Sequence, residues 1–407
     1  MPSLRNWRKK RVTESNDKKV PALRFKGFTD DWEQRKLGDM ANILRGASPR
    51  PIKDKKWFDT NSRIGWIRIS DVTSQNGRVY TLGQHLSKKG QEKTRVVSSQ
   101  TLLLSIAASV GYPVITYVET GVHDGFVIFD KPKFNLDFMF FKLQSIQNIW
   151  NKYGQAGSQV NINSSIVANT SISIPNIEEQ KRISILLKKI EENIYLQQRK
   201  LEQIKLLKKA MLQKILAETD NPYPKLRFFG FSNTWKKYTV NSLFKISRGY
   251  VLSTTLTEAN KSAHNPYPVY SSQTKNNGLM GYYNKYLYEN AITWTTDGAN
   301  AGTVNYRSGK FYCTNVCGVI LSDKVDANQL IAEELNTVSK RYVSYVGNPK
   351  LMNNVMANIK IIIPDQYKER QQISQLFSRQ DIFKDVYQRK QNVLKILKQF
   401  LLQNMFI

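Results

Sequence analysis

The chain contains its own sequence twice. Residues 21–46, PALRFKGFTDDWEQRKLGDMANILRG, align without a gap on residues 224–249, PKLRFFGFSNTWKKYTVNSLFKISRG, at a constant offset of 203. Ten of the 26 positions are identical: Pro21, Leu23, Arg24, Phe25, Gly27, Phe28, Trp32, Ile43, Arg45 and Gly46 with their counterparts. A second pair opens at Ile174-Pro175 and Ile363-Pro364, and from Ile183 against Ile373 onward it runs at an offset of 190. Self-similarity on this scale restricts the chain to two copies of one structural plan. Each copy is a block followed by a long segment, and the change of offset makes the first block 13 residues longer.

The long segments, 176–217 and 365–407, contain neither Pro nor Gly. In the first, Ile183, Leu187, Ile190, Ile194, Leu201, Ile204, Met211 and Ile215 recur at steps of three and four, with Gln197 and Lys208 in the same register, which predicts an amphipathic helix. The second is expected to repeat the stripe as Leu376, Phe383, Val386, Val393, Leu397 and Phe400, with Lys390 as an exception. Pro175-Asn176 followed by Glu179 reads as a capping box, and Asp365 is expected to cap the second helix. About 36 helical residues span roughly 54 Å. Two related helices in one chain can bury their stripes on each other, so we expect an antiparallel coiled-coil pair with the blocks at opposite ends and pseudo-twofold symmetry.

The blocks read as mixed α/β, with short strands at 96–107, 112–118, 125–129, 291–296, 302–306 and 311–322, rich in β-branched and aromatic residues and bounded by Gly, Asn and Asp. The expected division is a basic N-terminal tail at 1–20, a first block at 21–175, a helix at 176–217, a second block at 218–364 and a helix at 365–407.

Lys plus Arg number 61 against 32 Asp plus Glu, a formal charge of +29 over 407 residues. The excess is spread through both halves, which favours a long polyanion touched at several places, duplex DNA above all, over a membrane surface. The longest apolar-leaning stretch, Leu102 to Ile115, is interrupted by Ser105, Ser109, Gly111 and Pro113 and falls short of the roughly 20 residues that span a bilayer. The N-terminus, MPSLRNWRKKRVTESNDKKV, has cations without an apolar core, so no secretory signal is read and a cytoplasmic location is expected. Two cysteines, Cys313 and Cys317, and three scattered histidines supply neither a disulfide framework nor a zinc ligand set.

The catalytic inventory is nearly empty. No nucleophile elbow, Walker A string or Gly-x-Gly-x-x-Gly occurs. Asn221-Pro222-Tyr223-Pro224 and Asn265-Pro266-Tyr267-Pro268 only faintly match the Asn-Pro-Pro-Tyr loop of DNA amino-methyltransferases, and they read better as turns. Glu179-Gln180-Lys181 spells half of a nuclease metal motif, but it lies at a helix start, where capping accounts for it. The binding inventory is richer, with Tyr and Trp interleaved with Lys, Arg and Asn through 267–312 and a run of cations through 45–95.

The two Pro-x-Leu-Arg-Phe-x-Gly-Phe…Trp openings, the Arg45-Gly46 and Arg248-Gly249 pairs, the Ile-Pro-led helices and the string TWTTDGANAGTVNYRSGKFYCTNVCGV at 293–319 together resemble the DNA specificity subunit of type I restriction-modification systems. The resemblance covers about 21–407. It implies a non-catalytic subunit whose two target-recognition domains each read half of a split, asymmetric DNA site. The helices would serve as a ruler and as docking surface for two adenine methyltransferase subunits, joined by restriction and translocase subunits. It also implies no cofactor on this chain, with S-adenosylmethionine, ATP and Mg used by the partners. For DNA contacts we single out Arg45, Arg68, Ser70, Asp71, Ser109 and Tyr112 in the first block. In the second we single out Arg248, Ser271, Ser272, Asn277, Thr296, Asp297, Asn300 and Arg307. Ordinary turn chemistry is the alternative for each. Two other readings compete: a self-sufficient DNA methyltransferase or nuclease, and a coiled-coil scaffold that uses its charge for solubility.

Overall fold

The computed structural model describes residues 20–107, 109–153, 162–218, 221–272 and 275–407, so all but the last residue of the basic leader lies outside the described residues. The chain forms two compact units, one made of the residues up to Gln197 with Lys390–Ile407, the other of Gln198–Arg389.

The first unit opens with a two-stranded antiparallel ribbon, Glu33–Lys36 against Ser171–Ile174, in which Glu33 faces Ile174. A five-stranded sheet follows in the order Asn42–Arg45, Phe126–Asp130, Thr101–Ser105, Pro113–Thr116, Arg78–Val79, beside a three-stranded sheet of Gly65–Ile67, Thr120–Val122 and Arg95–Val97. The helix Leu136–Ser145 covers the larger sheet; the Asn135 side chain caps it by accepting from the Phe138 N–H.

The second unit repeats the opening. Lys236–Thr239 pairs with Lys360–Ile363, and Lys236 faces Ile363, the counterpart of the Glu33 and Ile174 register. Its main sheet has six strands in the order Phe244–Arg248, Cys317–Ser322, Tyr288–Thr295, Val304–Cys313, Tyr267–Tyr270, Leu279–Tyr283. The strand expectations need two corrections. Segment 96–107 is two strands, Arg95–Val97 and Thr101–Ser105, separated by a turn in which Gln100 takes φ +62. Segment 311–322 is broken by the turn Thr314–Val316, and its first part completes the long strand Val304–Cys313. Thr314 and Asn315 lie in that turn, between two strand ends that carry the buried Cys313 and Cys317.

The long helices are Ile177–Ile215 and Tyr367–Asn404. In the first unit Ile183, Leu187 and Ile190 share a core with Leu401, Met405 and Phe406, and Lys398 donates to Glu191 at 2.7 Å. In the second unit Lys208 donates to Asp381 at 2.7 Å and to Glu333 at 2.6 Å, Met211 meets Gln380, and the Lys200 ammonium lies 5.6 Å from the Tyr387 ring. Rising numbers on one helix meet falling numbers on the other, so the segments run antiparallel. Lys208 and Lys398 are repeat counterparts, as are Asp381 and Glu191, so the duplication preserved this pairing.

Two expectations about the second helix are corrected. Of its proposed stripe Leu376 packs against the second unit's core, but the rest faces outward: Phe383 is 57% exposed, Val393 63% and Phe400 52%. The buried face is instead Ile373, Phe377, Gln380, Gln391 and Leu401, the counterparts of the first helix's stripe. Apolar periodicity misassigns it because hydrogen-bonded Gln and ion-paired Lys occupy inward positions. Asp365 does not cap; its carboxylate takes the Lys236 ammonium and the Tyr238 hydroxyl. In the first helix Asn176 does cap, accepting from the Glu179 N–H at 3.0 Å. The Glu179 carboxylate, however, turns away to Arg24, with two bonds of 2.8 Å.

In the second unit's core, Glu334 is buried; one carboxyl oxygen accepts from the Ile362 N–H at 3.0 Å and the other has no partner among the described residues. Burial pushes its pKa up to about 7 from an ordinary 4.5. An acid with a raised folded pKa costs nothing below pH 4.5, costs more as pH rises from 4.5 to 7, and costs its full amount above 7, on the order of 3 kcal/mol. Glu334→Gln is therefore expected to match the native chain near pH 4.5 and to exceed it by up to that amount at pH 8.5, as read by denaturant unfolding. Equal stability differences at both pH values would mean that the carboxyl is not held neutral.

Candidate nucleic-acid interface

The repeated Arg-Gly pair ends a strand in each unit, and each time the glycine lies against a turn from far along the chain. A Cβ on Gly46 would come within 2.1 Å of the His123 carbonyl oxygen, and one on Gly249 within 2.2 Å of the Thr314 carbonyl oxygen. Only glycine admits that approach, which explains its place in both copies. The arginine that precedes it is exposed at the rim.

In the second unit the turn Thr314–Val316 is a hub. The Gly249 N–H donates to the Cys317 carbonyl at 2.9 Å, and the Thr296 N–H to the Val316 carbonyl at 3.1 Å. The Thr314 N–H donates to the Tyr270 carbonyl at 2.9 Å, and the Thr314 hydroxyl to Ser271 at 3.0 Å. Arg248 enters through its carbonyl, which accepts from the Tyr288 hydroxyl at 2.7 Å. Arg307 stacks on Tyr270 with its guanidinium carbon 3.7 Å from the ring centre. It donates to the Thr293 hydroxyl at 3.0 Å and to the Asn277 carbonyl at 2.7 Å. Asn276 and Asn277 both take the left-handed conformation, at φ +51 and +53, which asparagine tolerates. Thr296 donates to Asp297, which sits 3.8 Å from the Lys350 ammonium. Asn300 closes the same loop by accepting from the Thr303 N–H, and Ser272 is half-buried beside Ser271.

Arg307 is the electrostatic anomaly of this surface. It is 8% exposed, burial lowers its pKa, and no carboxylate lies within ion-pairing distance among the described residues. A buried cation without a counter-charge is costly in the unbound chain and favours an anion or a base-edge acceptor arriving from outside.

The first unit builds its hub on His123–Gly125. The Arg45 guanidinium donates to the Asp124 carbonyl at 3.0 Å, and the Asp124 carboxylate accepts from Ser48 and from Arg50, both at 2.7 Å. Burial alone would raise the Asp124 carboxyl, but the Ser48 hydroxyl and the Arg50 and Arg45 guanidinium groups hold it below its ordinary value. The His123 ring lies tilted against Trp66, 5.4 Å between centres, and its Nδ1 accepts from the Gly125 N–H at 2.9 Å; burial lowers its pKa. The Ile106 N–H donates to the Gly125 carbonyl at 2.8 Å, which attaches the loop carrying Ser109 and Tyr112. That loop is closed by Ser105, whose hydroxyl donates to the Ser109 carbonyl and accepts from the Tyr112 N–H. Arg68 follows the strand Gly65–Ile67, which pairs in parallel with Thr120–Val122, so it lies beside His123. Asp71 is spent locally, accepting from the Arg68 N–H at 3.0 Å as a helix cap, while Ser70 is exposed on the first turn.

The first hub gathers Arg45, Ser109 and Tyr112 with Arg68 beside it, while Ser70 and Asp71 stay on their own helix turn; the second gathers Arg248, Ser271, Thr296 and Arg307 with Asn277, while Asn300 only closes its own loop. Arg50, Tyr270 and Thr314 fall within the cationic, aromatic and family-like stretches noted above, but Ser48, His123 and Asp124 in the first unit and Lys350 in the second carry no sequence motif. Only the duplicated Arg-Gly pair pointed towards them, and Asp124 lies 76 residues from Ser48.

A family model for the type I restriction modification DNA specificity domain matches residues 29–206 and 232–395. A Mycoplasma pneumoniae protein named as a candidate type I specificity subunit N-terminus is 38% identical over 132 residues, 31% of this chain and 67% of that protein. The specificity subunit of the MpnII type I restriction enzyme, from the same organism, is 30% identical over 141 residues, 34% of this chain and 42% of its own length. Among solved structures, the S subunit of a type I restriction-modification system from M. genitalium matches over 95% of this chain and 99% of its own, with a TM-score of 0.72 at 14% identity. A chain from a structural study of assembly in a type I system matches over 92% and 97%, with a TM-score of 0.51 at 14% identity. No helix among the described residues is long and apolar enough to cross a membrane.

Proposed function

This chain belongs to the type I restriction-modification DNA specificity family, and from that membership and its two hubs we infer that it reads a bipartite, asymmetric DNA sequence, one half-site per unit. The observation that carries the reading is the pairing of a shared frame with unshared contents. Both units seat an Arg-Gly strand end on a distant turn, yet Asp124, Arg50 and His123 surround one turn while Tyr270, Arg307 and Thr314 surround the other. A frame of this kind positions a duplex through its phosphates, and differing side chains then select different bases. In this reading residues 21–175 and 218–364 are the recognition domains, 1–20 is a leader attracted to DNA, and 176–217 and 365–407 set half-sites about one helical turn apart, 34 to 36 Å.

The chain supplies no chemistry in this reading. Two methyltransferase subunits dock on the long helices, with restriction and translocase subunits joining them, and the adenine is flipped from the stack into a partner's site. The outward row of the second helix, Phe383, Val386, Val393, Leu397 and Phe400, supports docking, because an exposed apolar strip of that length gains from being covered.

The test is co-expression with the methyltransferase subunit, followed by genome-wide mapping of adenine methylation with and without this chain. A non-palindromic motif in two parts, present only with the chain, is the expected result; methylation unchanged by its removal would favour a scaffold. One added helical turn in both long helices is expected to change the spacer and leave both half-sites intact. Altered half-sites with an unchanged spacer would defeat the ruler.

A further inference from the structure

In the second unit the loop Ser344 to Lys350 is rooted at both ends and apolar at its tip. Val343 and Leu351, which flank it, are both buried, and the Leu351 carbonyl accepts from the Trp294 indole N–H at 3.0 Å. Two backbone bonds between Ser344 and Lys350, of 2.8 and 2.9 Å, close the loop, and Gly347 turns it at φ +74. Tyr345 is nevertheless 71% exposed and Val346 92% exposed. A stiff loop that holds an aromatic and an aliphatic side chain in water gains nothing for the fold. Around it stand the exposed cations Lys340, Arg341 and Lys350, with no acidic residue in the loop itself. It is also continuous with the proposed reading surface: the Gly298 N–H donates to the Pro349 carbonyl at 2.9 Å, and Lys350 faces Asp297.

We propose that the Tyr345-Val346 tip is an apolar probe that enters a groove of the DNA half-site read by the second unit and discriminates bases there by contact with an apolar base edge, such as a thymine methyl group. The cationic surround supplies the attraction to phosphate, and the tip supplies selection without charge. The proposal rests on the DNA-reading function inferred above.

The test uses the full chain assembled with its methyltransferase partner. Binding by the native chain, Val346→Ala and Tyr345→Ala is measured on the mapped site and on every single base-pair change within both half-sites, at several salt concentrations. The expected result is a roughly fivefold loss of discrimination at one or two base pairs of one half-site only. The other half-site keeps its discrimination and the salt slope is unchanged, since an apolar contact releases no counterions. Unaltered discrimination at every position would overturn the probe and leave the specificity reading standing. Impaired assembly with partners at unaltered discrimination would also overturn it, and would make the tip a protein contact. A native chain without sequence preference would overturn both readings.

Discussion

Arg227→Ala is expected to destabilise the second unit by about 3–5 kcal/mol, as measured by denaturant unfolding. Arg227 grips Glu369 with two bonds of 2.7 and 2.8 Å, the Glu369 carboxylate is fully buried, and the Trp235 indole N–H donates to it at 3.3 Å. Removing the guanidinium leaves a charge in the interior with one weak donor, and the penalty is the desolvation of that charge more than the loss of the pair. The double variant Arg227→Met, Glu369→Met leaves no charge behind and is expected to recover most of the loss. The same clamp joins Arg24 to Glu179 in the first unit, so Arg24→Ala should act alike there. A double variant no more stable than Arg227→Ala would show that the clamp contributes through its geometry and not through charge compensation.

Arg307→Met is expected to behave in the opposite way, with little change in stability and a large loss of DNA binding. The native side chain is buried with no carboxylate beside it, so its removal strands no opposite charge, and relief from desolvation offsets much of the two lost hydrogen bonds. A stability change of about 1 kcal/mol is expected. A guanidinium that meets a base edge or phosphate contributes about 1–3 kcal/mol of binding, which predicts a loss of roughly ten- to a hundredfold. The measurements are unfolding of the chain and binding of the assembled complex to its mapped site. Intact binding would remove Arg307 from the interface; a stability loss as large as that of Arg227→Ala would make it a structural residue.

The clamps show how far a sequence can be read. Arg24 and Arg227 stand out at once as identities within the repeat, whereas Glu179 and Glu369 lie just before the stretch aligned at the second offset and do not. That each arginine grips the glutamate some 150 residues later does not follow from either alignment, and capping was the natural reading of Glu179. The second helix repeats the lesson. Its most apolar stripe looked inward, but Gln380 and Lys398 turn inward on the strength of partners on other elements, Met211 and Glu191. At the hubs, Arg45-Gly46 and Arg248-Gly249 were legible because the glycines are demanded by close backbone approach. The carboxylate, imidazole and hydroxyls around them were not, because they carry no periodicity of their own.

The sequence by itself determined the duplication, the two long helices, the mixed α/β blocks and the cationic balance. These follow from patterns that recur along one stretch of chain, where propensity and hydrophobic period act locally. Tertiary structure alone decided which face of the second helix is buried, which acid meets each repeated arginine, and which turn receives each Arg-Gly pair. The physical reason is that a buried polar group is stable only beside a partner, and here the partners lie tens to hundreds of residues away, where no local pattern records them.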